Sequence, residues 1–183
     1  NKYIKRDGAS KLLDWLISTD FFVAPASTRF HSNIEGGLCA HSINAYNRFR
    51  KLIVSEYGED FSSVISEESI AIIGLLHDVC KVNYYEVDYR NVKVDGTWTQ
   101  KPYYKVNDDL PYGHGEKSVY IINGFLRLTR EEAIAINWHS GGFDMRVMGG
   151  SLAFSDAFCK YPASVLFHIA DMQATYLDEK VYN

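Results

Sequence analysis

The chain has 183 residues, of which 46% are hydrophobic and 23% charged, and its formal net charge at pH 7 is −4. These proportions are ordinary for a globular protein and exclude a disordered or collagen-like chain. The acidic balance argues against a protein held to nucleic acid mainly by a basic surface. The length fits one compact domain over residues 1–183.

The apolar runs and the cysteines indicate the compartment. Unbroken apolar stretches such as Ala71–Ile73 are far shorter than the ~20 residues that a membrane span needs, and no secretory signal pattern is visible. The three cysteines are scattered and form no CxxC pair. We therefore expect a cytoplasmic protein with no membrane partner.

The spacing of apolar residues in the first half predicts helices. A short helix begins near Ser10, a long helix runs from about Leu38 to Tyr57, and a third runs from about Ser66 to Lys81. Residues 21–37 between the first two have the composition of a loop. The middle of the third helix, Ile70 to Leu76, is apolar on every side, which predicts a central buried helix.

Residues 84–106 have the pattern of a β-hairpin. Asp95-Gly96 is a strong two-residue turn, and counting outward from it pairs Tyr85 with Val106 on an apolar face. The opposite face is charge-matched across the strands. The aromatic residues of the apolar face are Tyr85, Tyr89, Trp98 and Tyr104. We expect this face to pack on the body of the protein, which we favour over stacking a nucleobase beside a site.

Helices resume in the second half. One runs from about 115 to 124, and the capping box Thr129–Glu132 opens another that carries Trp138 and His139. The last long helix runs from about Pro162 to about Leu177, with proline well placed in the first turn.

The candidate chemistry lies in the histidines and in two aspartates. Taken singly, each histidine is most simply a core residue. However, His77-Asp78 ends the most apolar helix, and burying an imidazole with a carboxylate costs several kcal/mol unless they are paired or bind a metal. His41 lies on the inward stripe of its helix, and Asp171 lies in an apolar run one turn after His168. One metal centre explains these placements together, and imidazole with carboxylate suits Mn, Fe, Ni, Zn or, with more oxygen ligands, Mg.

Several other motifs are absent from the sequence. There is no HExxH of a zinc protease, no Glu-x-x-His of a di-iron bundle and no GxSxG elbow. Cys80, beside the candidate ligands, is interpreted as a small core residue.

The ordered set His41, His77-Asp78 and Asp171 resembles the HD-domain superfamily of metal-dependent phosphohydrolases. His-Asp-x-x-Lys at 77–81 is similar to the namesake motif of that superfamily. His114, in Gly-His-Gly-Glu, and His139, in Asn-Trp-His, resemble the extra histidines of its two-metal branches. The resemblance spans about residues 28–175.

The resemblance implies a fold and a ligand set. The fold is all-α, an HD-domain-like helical bundle with a small β-hairpin insertion at about 84–106. The residues implied to hold a first metal ion are His41, His77, Asp78 and Asp171. Asp78 would bridge to a second ion held by His114 and His139. Lys81 would join Asp78 in catalysis by donating to a phosphoryl oxygen or the leaving group, although a solvated lysine at a helix end is nearly as well supported. His31 and His168 are candidates for binding the substrate phosphate, and a structural role is equally supported for each.

The implied activity is hydrolysis of a phosphate mono- or diester by a water activated on one or two divalent ions. The substrate would be a small-molecule phosphate ester, a nucleotide or a single-stranded nucleic-acid end. The alternative is a metal-containing, non-catalytic nucleotide-binding or regulatory module. A third hypothesis, an oxygenase on the same scaffold, would require redox-active iron.

Overall fold

The structure, a computed structural model, describes residues 2–179, and about 54% of the chain is helical. The α-helices in this part of the chain are α1 (Ala9–Ser18), α2 (Gly37–Tyr57), α3 (Glu67–Leu76), α4 (His114–Asn123), α5 (Arg130–Asn137), α6 (Met145–Met148), α7 (Ala153–Lys160) and α8 (Pro162–Gln173). Two strands, β1 (Tyr85–Val94) and β2 (Thr97–Val106), lie between α3 and α4. None of the helices within residues 2–179 is both long enough and apolar enough to cross a bilayer.

The all-α class, and with it the HD-domain-like helical bundle expected from the sequence, is wrong as a description of this chain. β1 and β2 form a two-stranded antiparallel sheet alongside the helices. Asp95 and Gly96 both have positive φ, 48° and 84°, which is the turn that joins two twisted strands directly. The register counted outward from this turn is confirmed, with Tyr85 opposite Val106. The chain is a helical protein that carries a β-ribbon.

The base of the hairpin's apolar face contacts the body through Tyr85, whose hydroxyl donates to the carbonyl oxygen of Ala26 at 3.3 Å. The rest of this face is exposed, so the expected packing is wrong beyond the base. Val87, Tyr89 and Trp98 are 55%, 61% and 68% exposed. Within residues 2–179, the buried hydrophobic cluster includes no residue of either strand. The alternation of a hairpin is the same whether its apolar face is covered or free, which is why the pattern could not separate the two cases.

The core lies where α3 is enclosed by α2, α5 and their neighbours. Ile70 to Ile73 are fully buried, which confirms the central buried helix. α2 packs on both α3 and α8. A Cβ added at Gly74 would lie 2.6 Å from the Cα of Tyr46, so the absence of a side chain lets α2 and α3 approach this closely.

The third helix ends earlier than the sequence indicates, at Leu76 rather than Lys81. Asp78 has φ −102° and ψ 16°, and a 3₁₀ turn over Val79–Lys81 follows it. Successive residues of an α-helix point about 100° apart. The break therefore allows the neighbouring side chains of His77 and Asp78 to face one point.

Other boundaries differ in the same local way. α1 follows Gly8, whose φ is 90°, instead of a cap at Ser10. The capping box at Thr129 is confirmed, but α5 stops at Asn137, so Trp138 and His139 follow the helix. After α8 the chain continues as a π-helical turn over Ala174–Asp178. α6 and α7 have no counterpart among the predicted elements.

Shortening the hairpin should leave the fold intact. Consider a variant that lacks residues 88–103, in which Val87 is joined to Tyr104 through Asn-Gly. The cross-strand residue pairs nearest the body, from Tyr85 with Val106 to Val87 with Tyr104, remain in this variant. We expect unchanged helical circular dichroism and a melting temperature within about 4 °C of wild type, the shift that about 1 kcal/mol produces at this size. Loss of the cooperative unfolding transition would contradict this view of the hairpin.

Adding a methyl group at Gly74 should separate α2 from α3. We expect Gly74→Ala to lower the free energy of unfolding by about 1–3 kcal/mol, because the new Cβ meets backbone rather than a movable side chain. Gly142→Ala is the matched control, since a Cβ there meets nothing within 4 Å. Urea unfolding measures both, and equal stability of the two variants would show that the helices move apart without cost.

Candidate metal centre

Histidine and aspartate side chains from five segments converge beside a cavity of about 770 Å³. α2 supplies His41, and the end of α3 supplies His77 and Asp78. The remaining members come from the start of α4, the residues after α5, and α8. The groups within residues 2–179 whose donor atoms are close enough to hold a metal ion are His41 with His77 and Asp171, His77 with Asp78 and His139, Asp78 with Cys80 and His114, and His31 with His41 and Glu179.

Asp78 lies at the middle of these groups. Its Oδ2 is 3.5 Å from the Nε2 atoms of both His41 and His77. Its Oδ1 is 2.9 Å from Nε2 of His114 and 3.6 Å from Nε2 of His139. The two oxygens of one carboxylate thus face two different pairs of imidazoles.

Two of the imidazoles are oriented by backbone carbonyls. His77 Nδ1 lies 3.0 Å from the carbonyl oxygen of Gly74, and His139 Nδ1 lies 2.7 Å from that of Ile136. A carbonyl oxygen only accepts hydrogen bonds, so each Nδ1 carries the proton. In the neutral rings Nε2 is then a bare lone pair directed towards Asp78, which is how a metal-binding histidine is held.

His41 meets the opposite situation, because carboxylates lie on both sides of its ring. Nε2 is 3.1 Å from Oδ1 of Asp171, and Nδ1 is 3.0 Å from Oε1 of Glu179. Burial favours the neutral ring, but these two carboxylates outweigh it and raise the pKa of His41 to about 10. Burial lowers the pKa of His77 to about 3, so that ring is neutral. The two Nε2 atoms are 3.2 Å apart, a separation that requires a proton or a cation between them.

The charge on Asp78 is held by its neighbours. Burial favours the neutral acid, but Lys81 and the imidazoles outweigh it and keep the pKa of Asp78 well below its ordinary value. Lys81 Nζ donates to Oδ2 at 2.6 Å, and its side chain is 12% exposed, so the solvated helix-end lysine is not what the structure contains. Oδ1 has no hydrogen bond of ideal geometry within residues 2–179, although Nε2 of His114 lies 2.9 Å from it. An ionised, buried oxygen that faces imidazole nitrogen atoms in this way suits a cation.

The two candidates for phosphate binding lie at the wall of the same cavity. The ring of His31 is 4.8 Å from that of His41, and its buried Nε2 has no partner within residues 2–179. His168 donates from Nδ1 to the carbonyl oxygen of His139 at 2.7 Å. His168 is not a member of the metal-spaced groups in the described part of the chain. It supports the segment that carries His139.

Sequence reasoning missed two polar contacts of the site. Cys80 is buried, as expected of a core residue, but its Sγ also lies 3.2 Å from Nδ1 of His114. Glu179 contacts His41 from a turn 138 residues further along the chain. Neither has a local signal, since a cysteine in an apolar run and an acidic residue near a helix end are both common. The proximity of Cys80 to the His-Asp motif was the one available hint.

The donor set fits a metal ion. Three imidazoles have Nδ1 held from outside and Nε2 directed inward, and one buried carboxylate oxygen faces two imidazole nitrogen atoms. The buried histidine, aspartate and cysteine groups could therefore hold an ion.

Comparison with known proteins produces no match: no family model, no curated protein and no solved structure matches this chain.

Metal addition should stabilise the protein, because an ion bound by the folded chain adds RT ln(1 + [L]/Kd) to its stability. At a free ion concentration of 100 Kd the gain is about 2.7 kcal/mol. We expect Mn²⁺ or Zn²⁺ to raise the melting temperature of chelator-treated protein in scanning calorimetry, and EDTA to reverse the rise. Sodium chloride at equal ionic strength is the control. An unchanged transition with Mn, Fe, Ni, Zn and Mg would contradict a metal centre.

Proposed function

We propose that this protein is a metal-dependent phosphohydrolase that cleaves a phosphate mono- or diester with a metal-activated water. The observation that carries the proposal is that the two carboxylate oxygens of Asp78 face different histidines. Oδ2 faces His41 and His77, and Oδ1 faces His114 and His139. One carboxylate between two sets of imidazoles is the donor arrangement that two-ion hydrolytic sites use. The ordered motif that resembles the HD-domain superfamily supports the same activity.

Each group of residues in the site has a role in this proposal. One or two divalent ions, of Mn, Fe, Ni, Zn or Mg, would supply a hydroxide nucleophile near neutral pH and neutralise charge on the phosphoryl oxygens. His41, His77, Asp78 and Asp171 would hold one ion, and Asp78, His114 and His139 the other. Part of each set already has metal-ligand spacing: His41 with His77 and Asp171 for the first ion, and Asp78 with either His139 or His114 for the second, in groups that also include His77 or Cys80.

Lys81 would act on the substrate. Its ammonium group lies at the cavity wall beside Asp78, where it can donate to a phosphoryl oxygen or protonate the leaving oxygen. The carboxylate of Asp78 raises the pKa of Lys81 against the effect of burial, so the group is cationic when substrate enters. His31 and Arg29 at the same wall would add contacts to the phosphate.

The cavity favours a nucleotide or a nucleic-acid end as the substrate. Its volume of about 770 Å³ fits a molecule of this size. Phe30 and Phe143 line it and are 64% and 66% exposed, so their rings can stack on a base. The cationic Lys81 and the aromatic rings together match an anionic ester that carries a flat base.

A second candidate is a metal-containing regulatory module that binds a nucleotide without cleaving it. The ion pair of Lys81 with Asp78 favours it, because a lysine engaged by the carboxylate is withheld from substrate. A hydrolysis screen with monoester, diester and nucleotide substrates, paired with elemental analysis, separates the two candidates. Turnover in wild type with loss in Lys81→Met supports the hydrolase. Nucleotide binding with no turnover at any metal loading supports the module.

Removing the shared carboxylate should abolish both metal retention and activity. We expect two ions per wild-type chain, none in Asp78→Ala, and about one in His139→Ala, whose turnover falls by about 10–100-fold. Elemental analysis and a phosphatase assay measure these values. Glu132→Ala is the matched control, because it removes another fully buried carboxylate, paired with Arg6, outside the cluster.

The control separates chemistry from folding. Glu132→Ala should lower the melting temperature and leave the metal content unchanged. If Asp78→Ala keeps its metal and loses only stability, Asp78 is a core residue and the proposed hydrolase fails. One ion in both wild type and His139→Ala, with none in Asp78→Ala, would leave a mononuclear site and assign His114 and His139 to the substrate phosphate.

A further inference from the structure

We propose that Glu179 is a positioning residue for His41: it holds the Nδ1 proton of that imidazole so that Nε2 is presented to the metal centre. The inference rests on the proposed function, since it concerns the same site. It adds a residue from outside the HD-like motif to the machinery of that site.

The contact is close and buried. Oε1 and Oε2 of Glu179 lie 3.0 Å and 3.2 Å from His41 Nδ1. The side chains of His41 and Glu179 are 2% and 4% exposed. An ionised carboxylate only accepts hydrogen bonds, so Nδ1 is the donor to Glu179, and an ion bound by His41 would take the place of any proton on Nε2. That atom points at Asp78 and Asp171.

His41 needs an external acceptor because of its place in a helix. His77 and His139 each donate to the carbonyl three residues earlier, Gly74 and Ile136, and both histidines follow helix ends where carbonyls are free. His41 lies inside α2, and the carbonyl three residues before it belongs to Leu38.

The Leu38 carbonyl is already engaged. As a helix-interior group it serves the α2 ladder, and the hydroxyl of Ser42 also donates to it at 2.9 Å. The backbone therefore leaves His41 without the acceptor that orients the other two rings, and Glu179 supplies a stronger one. A charged acceptor also makes Nε2 a better electron donor to a metal than a carbonyl does.

Glu179 is itself fixed by the residues around His41. Ser32 donates its hydroxyl to Oε2 at 2.7 Å, and Asn44 donates its amide to Oε1 at 3.0 Å. Three donors thus converge on one carboxylate and set its orientation. A different contact attaches the turn to α2: the residue before Glu179, Asp178, forms a partly exposed ion pair with Arg48. The neighbouring acids therefore offer a matched comparison.

The test compares Glu179→Ala, Glu179→Gln and Asp178→Ala in the full chain, with Zn²⁺ as the probe. We expect Glu179→Ala to weaken zinc binding to chelator-treated protein by about 10–100-fold in titration calorimetry. Glu179→Gln, whose amide oxygen still accepts from Nδ1, should recover most of that loss. Asp178→Ala, which breaks the surface ion pair, should bind zinc as wild type does.

A long-range ¹H–¹⁵N spectrum of the zinc-loaded protein supplies a readout that a structural role would not move. We expect His41 with a protonated Nδ1 and a zinc-bound Nε2 in wild type and in Glu179→Gln. Zinc bound through Nδ1 would overturn the proposal, and so would equal zinc affinity in Glu179→Ala and wild type. An equal loss in Asp178→Ala and Glu179→Ala would reduce Glu179 to part of the chain attachment and overturn the proposal as well.

These outcomes separate the inference from the proposed function. A 10–100-fold loss of zinc affinity in Glu179→Ala supports the inference even if no phosphate ester is cleaved, which would defeat only the hydrolase. Turnover in wild type with full zinc affinity in Glu179→Ala would overturn only the inference. A wild-type chain that binds no zinc, iron, manganese, nickel or magnesium would overturn both.

Discussion

The burial of the Asp78 carboxylate constrains the rest of the structure. The residue is 1% exposed, and an ionised carboxylate in such a place costs several kcal/mol unless positive charge and hydrogen-bond donors surround it. Lys81 supplies one charge to Oδ2, and four imidazoles lie around the two oxygens. The early end of α3 and the close packing of α2 on α3 at Gly74 both serve to bring these groups together. The packing of the helices and the arrangement of the polar cluster therefore both depend on the Asp78 side chain.

Helix ends explain much of the geometry. A helix end leaves carbonyls free, and a histidine just beyond it can donate Nδ1 to a carbonyl and turn Nε2 towards the site. His77 and His139 both have this arrangement, which couples the ends of α3 and α5 directly to the orientation of these two imidazoles. His41 lies within a continuous helix and depends on a carboxylate from a distant segment. The same requirement is thus met by local backbone in two cases and by tertiary structure in the third.

Features that depend on residues close in sequence could be predicted from the sequence, and features that depend on distant contacts could not. His41, His77, Asp78 and Asp171 were accessible because inward-facing polar residues interrupt apolar periodicity, and the hairpin register followed from Asp95-Gly96. The end of α3 at Leu76 was not accessible, because an apolar run has no phase that marks where helical rotation stops. The exposure of Trp98 and the contact of Glu179 depend on tertiary packing, which local patterns do not record. The all-α class failed because it gave the ribbon too little weight.

The separation of His41 from Glu179 by 138 residues has a consequence for the order of folding. The hairpin forms between residues that are close in sequence, whereas the contact between His41 and Glu179 closes a loop that spans most of the chain. Such long loops close late in folding, because the chain loses conformational entropy before the contacts that compensate for it have formed. Until α8 and the turn that follows it dock on α2, His41 has neither Asp171 nor Glu179 beside it. A partly folded chain in which this end has not docked therefore lacks two of the carboxylates that surround His41. If the cluster holds an ion as proposed, the ion would bind after this last docking step, and a chain that ends before α8 would not hold it in the same way.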